Sequence, residues 1–287
     1  MGTRHGHRLI QLAKTYTQSH FTGIDLTQRS LNLAKELAQK HHIKHINFDK
    51  IDLLDFNTQK TYDVILSTGV VVALEDPLLG LMNLTRCLNK DGYLLLWLYH
   101  SHGEFHRLLQ RELIFSLMNN QNFDLEEGVQ IMKDLELKLS DKKYGSSSAQ
   151  KNNKEISQIE INVDAYLHPI VNTYLFSEAF ELLNQCGLHW ASITSINNEN
   201  NSMLVDLPQV ANSDLANFCI RNDMFLPTDN LIDRYNKMSK REKYKVIELS
   251  FKPNGFVVMA GFDDTFLNLN LINHGNVIRL TENSRNI

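Results

Sequence analysis

The sequence predicts an α/β fold, a doubly wound and mostly parallel sheet carrying helical cap insertions. Three observations carry that reading. Over residues 1–100, short apolar runs alternate with stretches of helical period, the pattern of a sheet wound with helices on its faces. The run Tyr93–Tyr99 is apolar or aromatic throughout, as a strand buried on both faces requires. The same alternation returns late in the chain, with a helical period over Phe176–Cys186 followed by a strand over His189–Ile196.

Each element has a local cause. His7–Tyr16 places Leu9, Ile10, Leu12 and Ala13 on one helical face, and Phe21–Ile24 is a short strand ending at Asp25. Ser30–Lys40 is the next helix, and Ile46–Ile51 and Tyr62–Ser67 are strands. Asp76–Leu88 reads as a helix with Pro77 in its first turn, where the missing N–H does no harm. Asn89-Lys90-Asp91-Gly92 supplies a turn before the strand Tyr93–Tyr99. Helices are expected over about Glu104–Met118 and Leu125–Leu139, then a polar linker over Ser140–Ser157. Gly187 caps the helix Phe176–Cys186. Helical segments near Asp214–Ile220 and over Leu231–Leu249 precede a closing strand, Phe256–Phe262.

The resulting organisation is a wound α/β half over residues 1–100, a helical insertion over 101–172 that forms a cap, a return to the α/β core over 173–196, a second helical insertion over 197–254, and a closing strand with tail over 255–287. Length permits one large core plus an elaborated lid. Lys and Arg total 29 against 33 Asp and Glu, a formal charge of −4, so there is no broad basic field to hold nucleic acid. Cys87, Cys186 and Cys219 form no C-x-x-C pair and read as reduced thiols. No apolar run approaches the roughly 20 residues of a membrane span. A cytoplasmic protein without a membrane partner is expected, its oligomeric state open.

The chemistry gathers at three places. Gly2-Thr3-Arg4-His5-Gly6 opens a helix, and glycine lets a backbone approach a ligand closely. Asp25, 19 residues beyond Gly6, ends the next strand, where a carboxylate accepts from the hydroxyls of a ribose. Asp52, between Ile51 and Leu53, suits an adenine amino group with apolar cover on the ring. Asp49 and Asp55 compete for that role, and Thr27 shares the helix-capping alternative with Asp25. Glycine loop and acids together indicate a nucleoside-containing cofactor. His100 and His102 follow the apolar strand and are candidates for deprotonating a substrate. The groups His41-His42-x-x-His45 and His102-x-x-x-His106 lack the H-E-x-x-H context of a metal site, and no metal is expected. No Ser-His-Asp or Cys-His nucleophile pattern occurs.

These motifs resemble, in order, those of the class I S-adenosylmethionine-dependent methyltransferases, and the likeness runs over residues 2–99. Gly2–Gly6 looks like the G-x-G-x-G loop, Thr22–Thr27 like the ribose-binding strand end, and Lys50–Leu53 like the adenine segment. Tyr62–Ser67 is similar to the family's fourth strand, Leu74–Leu78 to the turn into its helix, and Leu88–Tyr93 to the turn before its fifth strand. His168-Pro169 and the stretch from Thr173-Tyr174 to Gly187-Leu188 also resemble a segment of certain bacterial members. The resemblance implies S-adenosyl-L-methionine as cofactor, held by Gly2, Thr3, Gly6, Asp25, Leu26, Asp52, Leu53, Ser67 and Thr68, with Ser67 to Val70 lining its methionine end. It implies methyl transfer to an acceptor, read as a small molecule. Three departures stand out. Arg4 occupies the middle glycine position, Val72-Ala73 replaces a pair of histidines, and Met1 falls where the first strand should end. The last of these predicts a fragment or a sheet with two exposed strand edges. The other readings are a methyltransferase-fold interaction protein of impaired activity and a nicotinamide-dependent oxidoreductase. The latter needs a G-x-G-x-x-G that is not present here.

Overall fold

A computed structural model of the chain describes residues 6–118, 124–137, 163–197, 202–204 and 229–262. Helix α1 (His7–Thr15) leads into β1 (Phe21–Asp25), α2 (Gln28–Lys40) and β2 (Ile46–Lys50). Strand β3 (Tyr62–Thr68) follows, then α3 (Pro77–Thr85) and the long β4 (Leu88–His100). The cap helices α4 (Ser101–Leu117) and α5 (Leu125–Asp134) come next, then the short β5 (Thr173–Tyr174) and α6 (Phe176–Gln185). The chain continues through β6 (Trp190–Asn197), β7 (Ser202–Leu204), α7 (Asp229–Lys237), α8 (Lys240–Phe251) and β8 (Gly255–Gly261).

The expected α/β class holds, and the sheet is mixed. β3, β4 and β5 run parallel, and β8 inserts antiparallel between β4 and β6, with β7 antiparallel on β6. β1 and β2 form a separate parallel ladder of five residue pairs, from Phe21↔Ile46 to Asp25↔Lys50. Among the described residues β1 pairs only with β2, and β3 only with β4.

β4 is the spine because alternate side chains serve one packed layer. Leu94, Leu96, Leu98 and His100 are fully buried, and Phe256, Val258 and Ala260 of β8 continue that face. Helices α3, α6 and α8 cover it with Leu81, Leu84, Phe176, Leu183, Tyr244, Ile247 and Phe251. Each such Leu or Phe contributes roughly 1.5–3 kcal/mol through burial. A second, smaller core of Ile114, Met118, Met132, Ala165, Tyr166 and Leu167 holds the cap together.

Several boundaries differ from the sequence reading, the helix from Leu125 ending at Asp134 among them. Asn89–Gly92 does not make a free turn but lies within β4, where the register jumps from Tyr62↔Leu88 to Val64↔Tyr93. The extra residues bulge, and Asn89 donates to the Asp63 carboxylate at 2.6 Å. The helix expected to reach Leu88 stops at Thr85, since Leu88 is taken into the sheet. The expected helix Leu231–Leu249 is two helices. Ser239 starts the second with a capping box, its hydroxyl accepting from the Glu242 N–H while Glu242 accepts from the Ser239 N–H at 2.7 Å. The second insertion also contributes a strand, β7, beside its helices, while the segment near Asp214–Ile220 lies outside the described residues.

Candidate active site

Of the predicted cofactor residues, Asp25 and Thr68 end strands, and Asp52 and Leu53 lie in the turn after β2. Gly2 and Thr3 lie outside the described residues, as does Arg4. Gly6 caps α1 with φ +71°, and a Cβ on it would lie 2.7 Å from the Ala34 Cβ of α2. Only glycine meets both demands, so Gly6 lies close against the helix that follows β1.

Asp25 ends β1, and its Oδ1 accepts from the Thr27 N–H and the Thr27 hydroxyl, each at 2.9 Å. Thr27 in turn caps α2, so the turn holding the carboxylate is fixed on both sides. Leu26 between them is 61% exposed. The Ile51 N–H donates to the Asp25 carbonyl at 3.1 Å, which carries the β1–β2 ladder on to the residue before Asp52. Asp52 caps a short 3-10 turn over Leu53–Asp55, its Oδ1 accepting from the Leu54 N–H at 2.9 Å. Leu53 is buried, and Ile24, Ile51 and Val70 pack against the core cluster that holds Leu53 and Val71.

Ser67 is buried with its hydroxyl lacking a hydrogen-bond partner, and Thr68, half-buried, ends β3. The next residue, Gly69, has φ +71° and no atom within 4 Å of where a Cβ would sit. A left-handed glycine facing open space at a strand tip leaves room for a ligand to lie against the backbone. Val71 and Val72 are buried in the turn that follows.

Two asparagines the sequence reading passed over hold this site in shape. Asn83 of α3 is buried, and its side-chain N–H groups donate to the Leu53 carbonyl at 3.0 Å and the Leu54 carbonyl at 2.8 Å, pinning the turn that carries Asp52. Asn172 donates through its side chain to the Leu74 carbonyl at 2.8 Å and through its backbone to Val72 at 2.7 Å, strapping the end of the cap to the turn after β3. Asn83 stood out only as a polar residue in the apolar run Leu81-Met82-Asn83-Leu84; Asn172 has partners about 100 positions away and gave no local signal. Asn83→Leu should lower stability by about 2 kcal/mol, because two carbonyls lose their donors inside the protein. A denaturant-midpoint shift with unchanged slope checks it.

The two histidine candidates have different surroundings. His100 is fully buried; its Nε2 lies 3.0 Å from Glu248 Oε1, and its Nδ1 accepts from the His102 N–H at 3.2 Å. Burial pushes its pKa down against the opposing pull of Glu248, so the ring is a neutral donor to the carboxylate. Burial alone would raise the Glu248 pKa, yet bonds from His100, the Phe176 N–H at 2.7 Å and Lys245 at 3.0 Å outweigh it and hold the carboxyl at about 2. Both nitrogens of His100 are therefore engaged in the core. His102 begins α4, partly exposed, with Nε2 enclosed and lacking a hydrogen-bond partner. His45 hydrogen-bonds the Ala13 carbonyl at 2.9 Å. Among the described residues no group of three or more His, Cys, Asp or Glu is placed to hold a metal ion, and no helix is long and apolar enough to cross a membrane.

A glycine-capped helix, two acids at and just past the ends of paired strands and an open glycine turn belong to a mixed α/β sheet with helices packed on it. The profile of a methyltransferase domain family matches residues 1–159, more than half of the chain. The chain belongs to that family, among the class I S-adenosylmethionine-dependent methyltransferases. It is 30% identical over 143 residues to the protein-lysine N-methyltransferase EFM4 of Saccharomyces cerevisiae, covering 48% of this chain and 57% of that protein. It is 24% identical over 241 residues to an uncharacterized protein of Synechococcus, covering 83% and 53%. The structure of PKMT2 from Rickettsia typhi in complex with AdoHcy superposes with a TM-score of 0.61 at 16% identity, over 92% of this chain and 48% of that one. The chain thus spans about half the length of these relatives.

Proposed function

We propose that the chain transfers a methyl group from S-adenosylmethionine to a small-molecule acceptor. The observation that supports this reading is the backbone bond from Ile51 to Asp25, which joins the end of β1 to the segment carrying Asp52, while β3 ends in the open Gly69 turn. Asp25 would accept from the ribose hydroxyls, Asp52 from the adenine amino group with Leu53 behind the ring, and Ser67 to Gly69 would border the methionine end. Gly6 would supply the backbone approach at the start of α1, together with Gly2 and Thr3. When bound, the cofactor supplies a methyl group already activated on a sulfonium. The chain's own part is to hold the acceptor in line and keep water away, and such positioning is worth about 7–11 kcal/mol in favourable cases.

The strap from Asn172 to Val72 and Leu74 supports a small acceptor, because it ties the cap across the strand tips where the acceptor would enter. His102, on the same edge, is the group proposed to take a proton from the acceptor. His100, enclosed with Glu248, serves instead to hold that corner of the fold. A second reading, a lysine side chain of a protein as acceptor, is favoured by the likeness to the yeast protein-lysine N-methyltransferase. Labelled-methyl transfer into a cell extract split by size into protein and small-molecule fractions separates them. Label in the small fraction supports the proposal, label only in protein supports the second reading, and cofactor binding without label in either sinks both.

A further inference from the structure

Helix α4 is amphipathic in the wrong sense for a helix lying on a protein body. Its buried positions are Glu104, Arg107, Arg111 and Ile114, whereas Phe105, Leu109, Leu113 and Leu117 are 47–55% exposed. Rolling the helix could not bury them, because its polar face is fixed. Arg107 pairs with Glu104, bonds the Ala165 carbonyl and stacks over Tyr99 at 4.5 Å. Arg111 donates to the carbonyls of Tyr166 at 2.9 Å and His168 at 2.7 Å. The charged side chains are committed to the cap, so the apolar row faces outward.

We infer that this row, Phe105-Leu109-Leu113-Leu117, is the contact by which two copies of the chain pair across a two-fold axis, α4 against α4. The four residues recur every fourth position and form one continuous ridge. Such a ridge interlocks with its own copy at a crossing angle of about −50°, and a two-fold contact needs no other complementary surface. Area favours the same occupant. With the flanking exposed residues His106, Glu112 and Ser116 at its rim, the row offers on the order of 500 Å² per copy. Burial on both copies reaches about 1,000 Å², the size at which an interface becomes specific. The remaining exposed residues of α4 are His106, Glu112 and Ser116. None is Lys or Arg, which argues against an anionic lipid surface or nucleic acid as the partner.

Sedimentation velocity of the full chain across micromolar concentrations tests this. The wild type should sediment at twice the chain mass. Leu109→Glu combined with Leu113→Glu should sediment as one chain, its dimer dissociation constant raised at least 100-fold, with unchanged circular dichroism and unchanged heat on S-adenosylhomocysteine addition. Phe105→Glu alone, at the ridge's other end, should weaken the dimer in the same direction should the double variant fold poorly. Leu249→Glu, an equally exposed leucine on α8, should leave it intact. A monomeric wild type, or a dimer indifferent to both ridge variants, overturns the inference.

Discussion

Glu248→Ala is expected to lower stability by about 3–5 kcal/mol. The carboxylate is 1% exposed and gathers three donors: His100 Nε2, the Phe176 N–H and Lys245. Its removal strands the first two in the core, each at a cost of about 1–3 kcal/mol. The bond from Phe176 also fixes the start of α6, so melting should shift by about 10 °C, which a calorimetric scan reads directly. The pH dependence has a definite sign. Glu248 falls from an ordinary 4.5 to about 2 in the folded chain, so its stabilisation is complete above pH 4.5 and is lost as pH drops toward 2. His100, whose pKa is lowered by burial, acts in the same direction higher up: below its ordinary value of 6.5 the unfolded chain takes up a proton that the folded chain refuses. The gap in stability between wild type and Glu248→Gln should therefore narrow through the lower window. A gap independent of pH would contradict the assigned ionisation.

Asp25→Asn is expected to weaken binding of S-adenosylhomocysteine by about 10–100-fold, the worth of one charge-assisted hydrogen bond. The amide oxygen can still accept from Thr27, so the turn survives and thermal stability should change little. Asp25→Ala removes that acceptor too, and should add about 1 kcal/mol of destabilisation through the start of α2. Titration calorimetry distinguishes the two variants. Wild-type affinity in Asp25→Asn would remove the ribose role and, with it, the main support for the proposed cofactor orientation.

The strands, and the position of Asp25 at the end of one, were legible because their determinants are local. Leu94, Leu96 and Leu98 announce a buried strand by themselves, and Asp25 lies at the end of an apolar run that physical pattern alone identifies. What escaped depends on distant partners. Glu248 reads as one charge among several on a helix, and only the fold sets it against His100, 148 positions earlier. For the same reason His100 read as a reactive group, although its ring is enclosed. The break between α7 and α8 was different, since the Ser239-x-x-Glu242 capping signature was present in the sequence and was outweighed by the apolar period running across it. The outward row of α4 was equally visible as a helical period but invited the opposite orientation, since burying Arg107 and Arg111 follows from carbonyls that another segment supplies.

The division of the strands into two ladders bears on how the molecule opens. β1–β2 adjoins the larger sheet through packing at Ile24 and Ile51 and through the Asn83 bonds to Leu53 and Leu54, without a shared run of strand pairing among the described residues. Fraying of that pair breaks no backbone bond of the larger sheet, so its amides exchange with solvent at a lower free energy than those of β4. A nucleoside gripped by Asp25 and Asp52 on one piece and by the Gly69 turn on the other would act as a rivet, and two independently opening units would become one cooperative body.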